Sequence, residues 1–300
     1  MAPRFGTSGL RGLASELTDA LVARHVRAFA ATCATGGGLL VGRDLRDSSP
    51  AIAAAVIAAA QLAGLQVRDA GALPTPALAL AARRAGTAAI MVTGSHIPAD
   101  RNGLKFYTRT GEITKAEEAA ILSHAATDPG PDRRAATIAQ PQAPARDSDA
   151  AARYRARHVA GFGASALCGL RLGVWAHSAV GRDMIAEILA EMGAEPVVLG
   201  RSSTFVPVDT EAVDDPTRAR LADWAGTERL DAILSTDGDG DRPLMTDARG
   251  RVIPGDLLGQ VTAGLVGAQA VVTPVTSNGG VELSRRFGRV LRCRIGSPHV

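Results

Sequence analysis

Short apolar runs of strand character alternate along this chain with longer stretches of helical period, and brief joints rich in Gly, Pro, Ser and Asp separate them. That alternation is the strongest constraint on the fold, because a helix between two strands carries the chain back to start the next strand in the same direction. It predicts an α/β architecture with largely parallel sheets. Aromatic residues make up only 3% of the 300 positions, so the cores must be layers of Ala, Val, Leu and Ile. A chain of this length carries a soft prior of about two domains.

Residues 21–33 place Leu21, Val22, Val26, Phe29 and Cys33 near helical spacing, with Thr18 or Asp19 as N-cap and Gly36-Gly37-Gly38 as terminator. A buried strand is expected at 39–41, then an alanine-rich helix opened by Ser49 as N-cap and Pro50 at its first position, then strands at 67–70 and 87–92. Ser95 therefore lies just past the carboxyl end of a strand, where open α/β sheets bind their ligands. Thr114 and Glu117 form a capping-box pattern opening another helix, and 128–149 reads as a linker. A second unit has strands at 172–175, 196–199 and 230–234 and a helix at 181–191. A third has helices at 255–266 and 281–287 with extended segments at 270–273 and 290–295.

The 33 basic and 30 acidic residues are interspersed, for a net charge of +3, which leaves no nucleic-acid footprint. Cys33, Cys168 and Cys293 show neither CxxC nor Cys/His metal spacing and read as reduced core thiols. The first residues lack an apolar leader segment, and no run approaches the ~18 apolar residues of a membrane span. A soluble, cytoplasmic protein is expected.

Two stretches carry the chemistry. Asp237, Asp239 and Asp241 stand two residues apart with glycines between them, so the backbone can curl and direct three hard oxygen donors at one divalent cation, for which Mg²⁺ is the natural choice. An EF-hand is excluded, since its sixth position would be Arg242 and its twelfth Ala248. Arg242 either grips substrate oxygens or forms a local ion pair with one of the aspartates. The other stretch is the loop Thr93-Gly94-Ser95-His96-Ile97-Pro98 followed by Asn102-Gly103-Leu104-Lys105. Ser95 has no triad-type base beside it, but a phosphorylated serine needs none, because its phosphoryl group can itself be transferred once a metal and cations spread the charge. Otherwise Ser95 is a turn residue. His96 either acts as a base or fixes the loop by hydrogen bonding, and an Asn102-Gly103 turn would bring Lys105 back towards Ser95 as acid, base or phosphate neutraliser. The segment 5–12 looks like a glycine-rich phosphate cradle with Arg11 adding charge, yet it lacks P-loop and dinucleotide spacing, and a flexible terminal turn is its default.

In order and approximate separation, FGTSGLRG, VGRDLRDSS, TGSHIPADRNGLKFY and STDGDGDRPL resemble the motifs of the α-D-phosphohexomutase superfamily, the phosphomannomutase and phosphoglucomutase enzymes. The stretches 177–183, 205–213 and 294–300 look closer to bacterial phosphomannomutases than to the phosphoglucosamine branch. The resemblance implies tandem three-layer α/β domains with mainly parallel mixed sheets and an active cleft between domains: 1–140 with the phosphoserine loop, 151–250 with the metal loop, and 251–300 as part of a third. It further implies phosphoserine at Ser95, Mg²⁺ held by Asp237, Asp239, Asp241 and an oxygen of phosphorylated Ser95, and a reaction centre lined by Arg11, Lys105 and Arg242. Arg11 and Lys105 would handle protons or support their transfer electrostatically, with His96 at the substrate.

The implied activity is interconversion of hexose 6-phosphate and hexose 1-phosphate, mannose before glucose, through a bisphosphate intermediate, with hexose phosphates as partners, neither nucleic acid nor membrane, and the oligomeric state left open. The family's glutamate-containing sugar loop and fourth-domain phosphate loop have no counterpart before Val300, so turnover by these 300 residues is expected to be impaired. Two alternatives stay open: a sugar-phosphate and Mg²⁺-binding module without catalysis, and a slow Mg²⁺-dependent phosphohydrolase.

Overall fold

The computed structural model describes residues 3–6, 9–128, 130 and 143–296. The first unit is built on an eight-stranded sheet. Its elements, in chain order, are β1 (Arg4–Phe5), β2 (Leu10–Leu13), α1 (Asp19–Thr32), β3 (Gly38–Arg43), α2 (Ser49–Leu62), β4 (Gln66–Ala72), α3 (Thr75–Ala85), β5 (Ala88–Val92), β6 (Arg101–Thr108), β7 (Gly111–Glu112), α4 (Lys115–Thr127) and β8 (Ala145–Arg146). The strand order is β1-β2-β6-β5-β3-β4-β8, with β7 returning against β6. β3 is parallel to β4 and β5, and β4 to β8, whereas β6 runs antiparallel to both β5 and β2.

Both faces of this sheet are covered. Leu39, Val41, Ile90, Leu104 and Phe106 point to the core shared with α1, α2 and α4, while Leu40, Ala89, Met91 and Tyr107 point to the core under α3. Burial on two faces is why the central strands read as continuous apolar runs instead of alternating ones. Each fully buried Val, Leu, Ile or Phe contributes roughly 1.5–3 kcal/mol.

The middle unit begins with α5 (Ala150–Phe162), β9 (Arg171–Trp175), α6 (Arg182–Glu191), β10 (Glu195–Leu199) and α7 (Asp215–Thr227). It continues with β11 (Ala232–Thr236), β12 (Pro243–Thr246) and β13 (Val252–Ile253). Its sheet order is β10-β9-β11-β12-β13, parallel across the first three strands and antiparallel beyond. α7 packs through Leu221 and Ala225 on one face, and α6 through Leu189 on the other. The last unit holds α8 (Gly255–Leu265), β14 (Ala270–Pro274), α9 (Gly280–Leu283) and β15 (Arg289–Cys293), the two strands pairing in parallel. Among the described residues no helix is long and apolar enough to cross a membrane.

Several local expectations change. α1 stops at Thr32, before the glycines, of which Gly36 and Gly37 form the turn into β3 and Gly38 opens that strand. The N-cap of α2 is Ser48, since Ser49 is already helical and donates its hydroxyl to Asp44 at 2.5 Å. The helix expected over 281–287 spans only Gly280–Leu283, because Arg285 takes a left-handed φ of 51°. Within the expected linker, residues 129 and 131–142 lie outside the described residues, but β8 joins the sheet beside β4. α3 is a helix beyond those expected, and Pro76 at its start, Arg83 and Arg84 in its last turn and left-handed Gly86 after it are ordinary helix punctuation. The Thr114 capping box of α4 forms as expected.

Candidate active site

β5 delivers the chain to Thr93-Gly94-Ser95. Ser95 is 1% exposed and sits at φ 54°, a conformation that costs a non-glycine residue about 1–3 kcal/mol unless its surroundings enforce it. They do. The Ser95 amide donates to Thr93 Oγ1 at 2.7 Å, that hydroxyl donates to Asp44 at 2.8 Å, and the Ser95 carbonyl accepts from Arg46 at 3.0 Å.

Lys105 arrives by sheet register. Asn102 and Gly103 are extended residues of β6, not a turn, and Met91 stands opposite Lys105 across the β5–β6 ladder. Because side chains alternate along a strand, Gly103, Lys105 and Tyr107 share the α3 face of the sheet. Arg11, paired with Gly103 across the β2–β6 ladder, is brought to that same face. In the expected cradle, Thr7 and Ser8 lie outside the described residues, and the flanks are β1 and β2 paired antiparallel, a hairpin in place of a loose terminal turn.

From the other side β11 delivers the acidic loop. Its chain curls around Asp237, whose Oδ1 accepts from the amides of Gly240 and Arg242, both at 3.2 Å. One carboxylate oxygen each from Asp237, Asp239 and Asp241 lie within 4.8 Å of one another. The two loops touch. Ser95 Oγ donates to Asp237 at 2.5 Å, and Lys105 Nζ stands 2.7 Å from Asp239 and 2.5 Å from Asp241. At the start of α3, Thr75 donates its hydroxyl to the Asp239 carboxylate at 2.6 Å and its amide to the Asp239 carbonyl at 2.8 Å. A β-carbon on Gly238 would fall 2.9 Å from the Ser95 carbonyl, so the approach of the loops requires glycine there.

Burial, and then the charges of Asp239 and Asp241, push Asp237 up to about 8. Burial opposes the charge of Asp239 too, but Lys105 outweighs it and holds that carboxyl below its usual range. For Lys105 burial likewise works against the ammonium, and Asp239 and Asp241 override it, so its pKa rises. Burial and Arg242 draw Arg11 down against the pull of the three aspartates, and burial with Arg242 lowers His96. His96 Nδ1 lies 3.3 Å from Ser95 Oγ. Arg242 pairs with Glu211 at 3.1 Å and with none of the aspartates, so the local ion pair with an aspartate, one of the two roles the sequence leaves open, does not form.

The donors fit a hard divalent cation. Three carboxylates crowd one space, and Asp239 Oδ1 is buried with no hydrogen-bond partner. Leaving such an oxygen unpaired costs about 1–3 kcal/mol or more for a charged group, and a cation would relieve it.

Sequence reasoning assigned no role to Asp44, Arg46, Thr75, Phe205 or His177. His177, 1% exposed at φ 23°, donates Nε2–H to the Thr236 carbonyl at 2.8 Å, directly beneath the acidic loop. Burial drives its pKa down to about 4, with Arg182 adding to the shift against that hydrogen bond. Between about pH 6.5 and 4 the unfolded chain therefore binds a proton that the folded chain refuses, so stability falls as pH drops through that window and is level above it. His177→Gln, whose amide can keep the donor to Thr236, is expected to remove about 2 kcal/mol of the loss between pH 7 and 5. Urea midpoints at the two pH values measure it, and equal losses in both proteins would refute the assignment.

Residues 2–130 match the phosphoglucomutase/phosphomannomutase α/β/α domain I family and residues 154–250 the corresponding domain II family. The chain is 47% identical over all of its length to a phosphomannomutase of Sinorhizobium fredii and 42% identical over 99% of it to a phosphomannomutase of Salmonella muenchen. It spans 64% and 61% of those two proteins. The crystal structure of a phosphoglucomutase/phosphomannomutase family protein from Burkholderia thailandensis shares its fold, with a TM-score of 0.74 at 22% identity over 97% of this chain and 66% of the other. The α/β fold is thus shared. This chain belongs to the phosphoglucomutase/phosphomannomutase family.

Proposed function

We propose that the protein is a phosphohexomutase interconverting hexose 6-phosphate and hexose 1-phosphate, with mannose phosphates as the preferred pair. The observation that carries this is the meeting of Ser95 Oγ with Asp237 at 2.5 Å while Lys105 bridges Asp239 and Asp241. A hydroxyl, a cation and a carboxylate cluster from two different sheets converge there. Similarity to enzymes named phosphomannomutase supports the sugar. The corresponding division is 1–140, 151–250 and 251–300.

Ser95 carries the phosphoryl group. It is transferred to the free hydroxyl of the bound hexose phosphate, giving the bisphosphate and the serine hydroxyl. Ser95 then takes the other phosphoryl group back, leaving the isomeric monophosphate. Asp237, Asp239 and Asp241, with phosphorylated Ser95, would hold Mg²⁺, which would neutralise charge on the transferring group. Lys105, kept as an ammonium by its two aspartates, supports the same charge and can return a proton to the oxygen being released. Arg11 and Arg242 face the substrate phosphates, Arg242 first leaving Glu211. His96, lowered by burial, serves as a neutral hydrogen-bonding partner. Thiols without disulfide partners at Cys33, Cys168 and Cys293 suit the cytoplasm.

The test follows mannose 1-phosphate and mannose 6-phosphate in both directions with Mg²⁺, beside the glucose pair. Interconversion with one phosphate found on Ser95 is the expected result. Phosphate release without isomer formation would replace this reading with hydrolysis, and binding without turnover would reduce it to a sugar-phosphate-binding module.

A further inference from the structure

Arg46 is 1% exposed, the largest fully buried side chain among the described residues, and it does not touch the three aspartates. Its guanidinium is spent on backbone. Nη1 donates to the carbonyls of Pro98 at 2.6 Å and Arg101 at 3.0 Å, Nη2 to those of Ile97 at 2.7 Å and Ser95 at 3.0 Å, and Nε to the Asp44 carboxylate at 3.2 Å. Asp44 in turn accepts from Thr93, whose hydroxyl also receives the Ser95 amide. Both sides of the Ser95 peptide backbone are therefore tied to one Asp44–Arg46 pair. A β-carbon on Gly94 would lie 2.7 Å from the guanidinium carbon, so the loop is wrapped directly on the arginine. Phe205, from the middle unit, lies with its ring centroid 4.0 Å from the Arg46 guanidinium carbon, and its ring edge also lies against Gly238 of the acidic loop.

The geometry points to Arg46 as a positioning residue: held by Asp44 and faced by Phe205, it moulds the loop from Ser95 to Arg101 and sets the left-handed conformation that aims the Ser95 hydroxyl at Asp237. Four carbonyls fanned around one side chain need a planar, multi-donor head, and a lysine ammonium with three donors at one point cannot span them. A buried Asp–Arg pair adds little net stability, whereas a displacement of about 1 Å at a reacting group costs on the order of 100-fold in rate. The consequence for turnover rests on the mutase reading; the moulding of the loop does not.

Arg46→Lys and Phe205→Leu in the full-length protein test both parts. For Arg46→Lys, kcat is expected to fall about 100-fold with KM changed less than about threefold, since Arg46 is walled off from substrate by the loop it holds. Amide hydrogen exchange in peptides covering 94–101 is expected to quicken at least about tenfold, with β3 and β5 unchanged. Phe205→Leu, which keeps the apolar cover but loses the cation–π contact, is expected to quicken the same peptide by a smaller factor. Unchanged exchange at 94–101 in Arg46→Lys overturns the proposal. So does faster exchange spread over the whole first sheet, which would make Arg46 a general structural residue. Were the wild-type protein inactive on hexose phosphates, the mutase reading would fall while the exchange result still decided the role of Arg46.

Discussion

Ser95→Ala is expected to bring phosphoryl transfer down to background, a loss of about 10⁴-fold or more, because among the described hydroxyls Ser95 meets the Asp237 carboxylate, while that of Thr75 is committed to Asp239 at the start of α3. The variant must be separated from simple misfolding. Alanine at φ 54° keeps the backbone strain that serine already bears, and loss of the hydrogen bond to the Asp237 carboxylate costs about 1–3 kcal/mol. Ser95→Gly removes the same hydroxyl without that strain. Both variants should be equally inactive and free of phosphate by intact-mass measurement, with the glycine protein melting higher. Residual turnover above about one per cent of wild type in either would remove Ser95 from the chemistry.

Asp239→Asn is expected to lower kcat/KM by about 10³-fold and to abolish the stabilisation that Mg²⁺ gives the wild type. The replacement is nearly isosteric, and Thr75 and Lys105 retain an oxygen to bond. What changes is charge: the donor set falls from three carboxylates to two, at the position whose second oxygen is buried without a partner. Wild-type protein with Mg²⁺ at about 100 times its Kd should gain about 2.7 kcal/mol. The variant should gain almost nothing, and chelation of the wild type should reproduce the variant's rate. A thermal shift with Mg²⁺ that is equal in both proteins would show that the cation binds elsewhere.

Much of the fold was readable because burial on both sheet faces leaves unbroken apolar runs such as 88–92, and because the Thr114–Glu117 box is a purely local signal. The acidic triad was readable for a similar reason, since three carboxylates spaced by glycine converge within one short loop. Relations set by distant pairing were not. Asn102-Gly103 has the composition of a turn, yet the β2–β6 ladder holds it extended, and the β5–β6 ladder is what presents Lys105. Arg46 has the composition of a surface residue, and only the folded loop supplies the four carbonyls that let it be buried. Arg242 found its partner in Glu211, 31 positions earlier, a contact outside both roles that its local spacing leaves open.

The antiparallel course of β6 divides its neighbourhood into places where evolution can edit length and places where it cannot. Insertions in the turn at Arg109 and Thr110 would only reshape a connection, whereas losing one residue between Gly103 and Lys105 would swap inside for outside along the rest of the strand. Phe106 would then be thrust at the carboxylates and the ammonium driven into the apolar layer beneath α1. Across homologous chains, gaps should therefore accumulate after Thr108 and vanish from Gly103 to Tyr107.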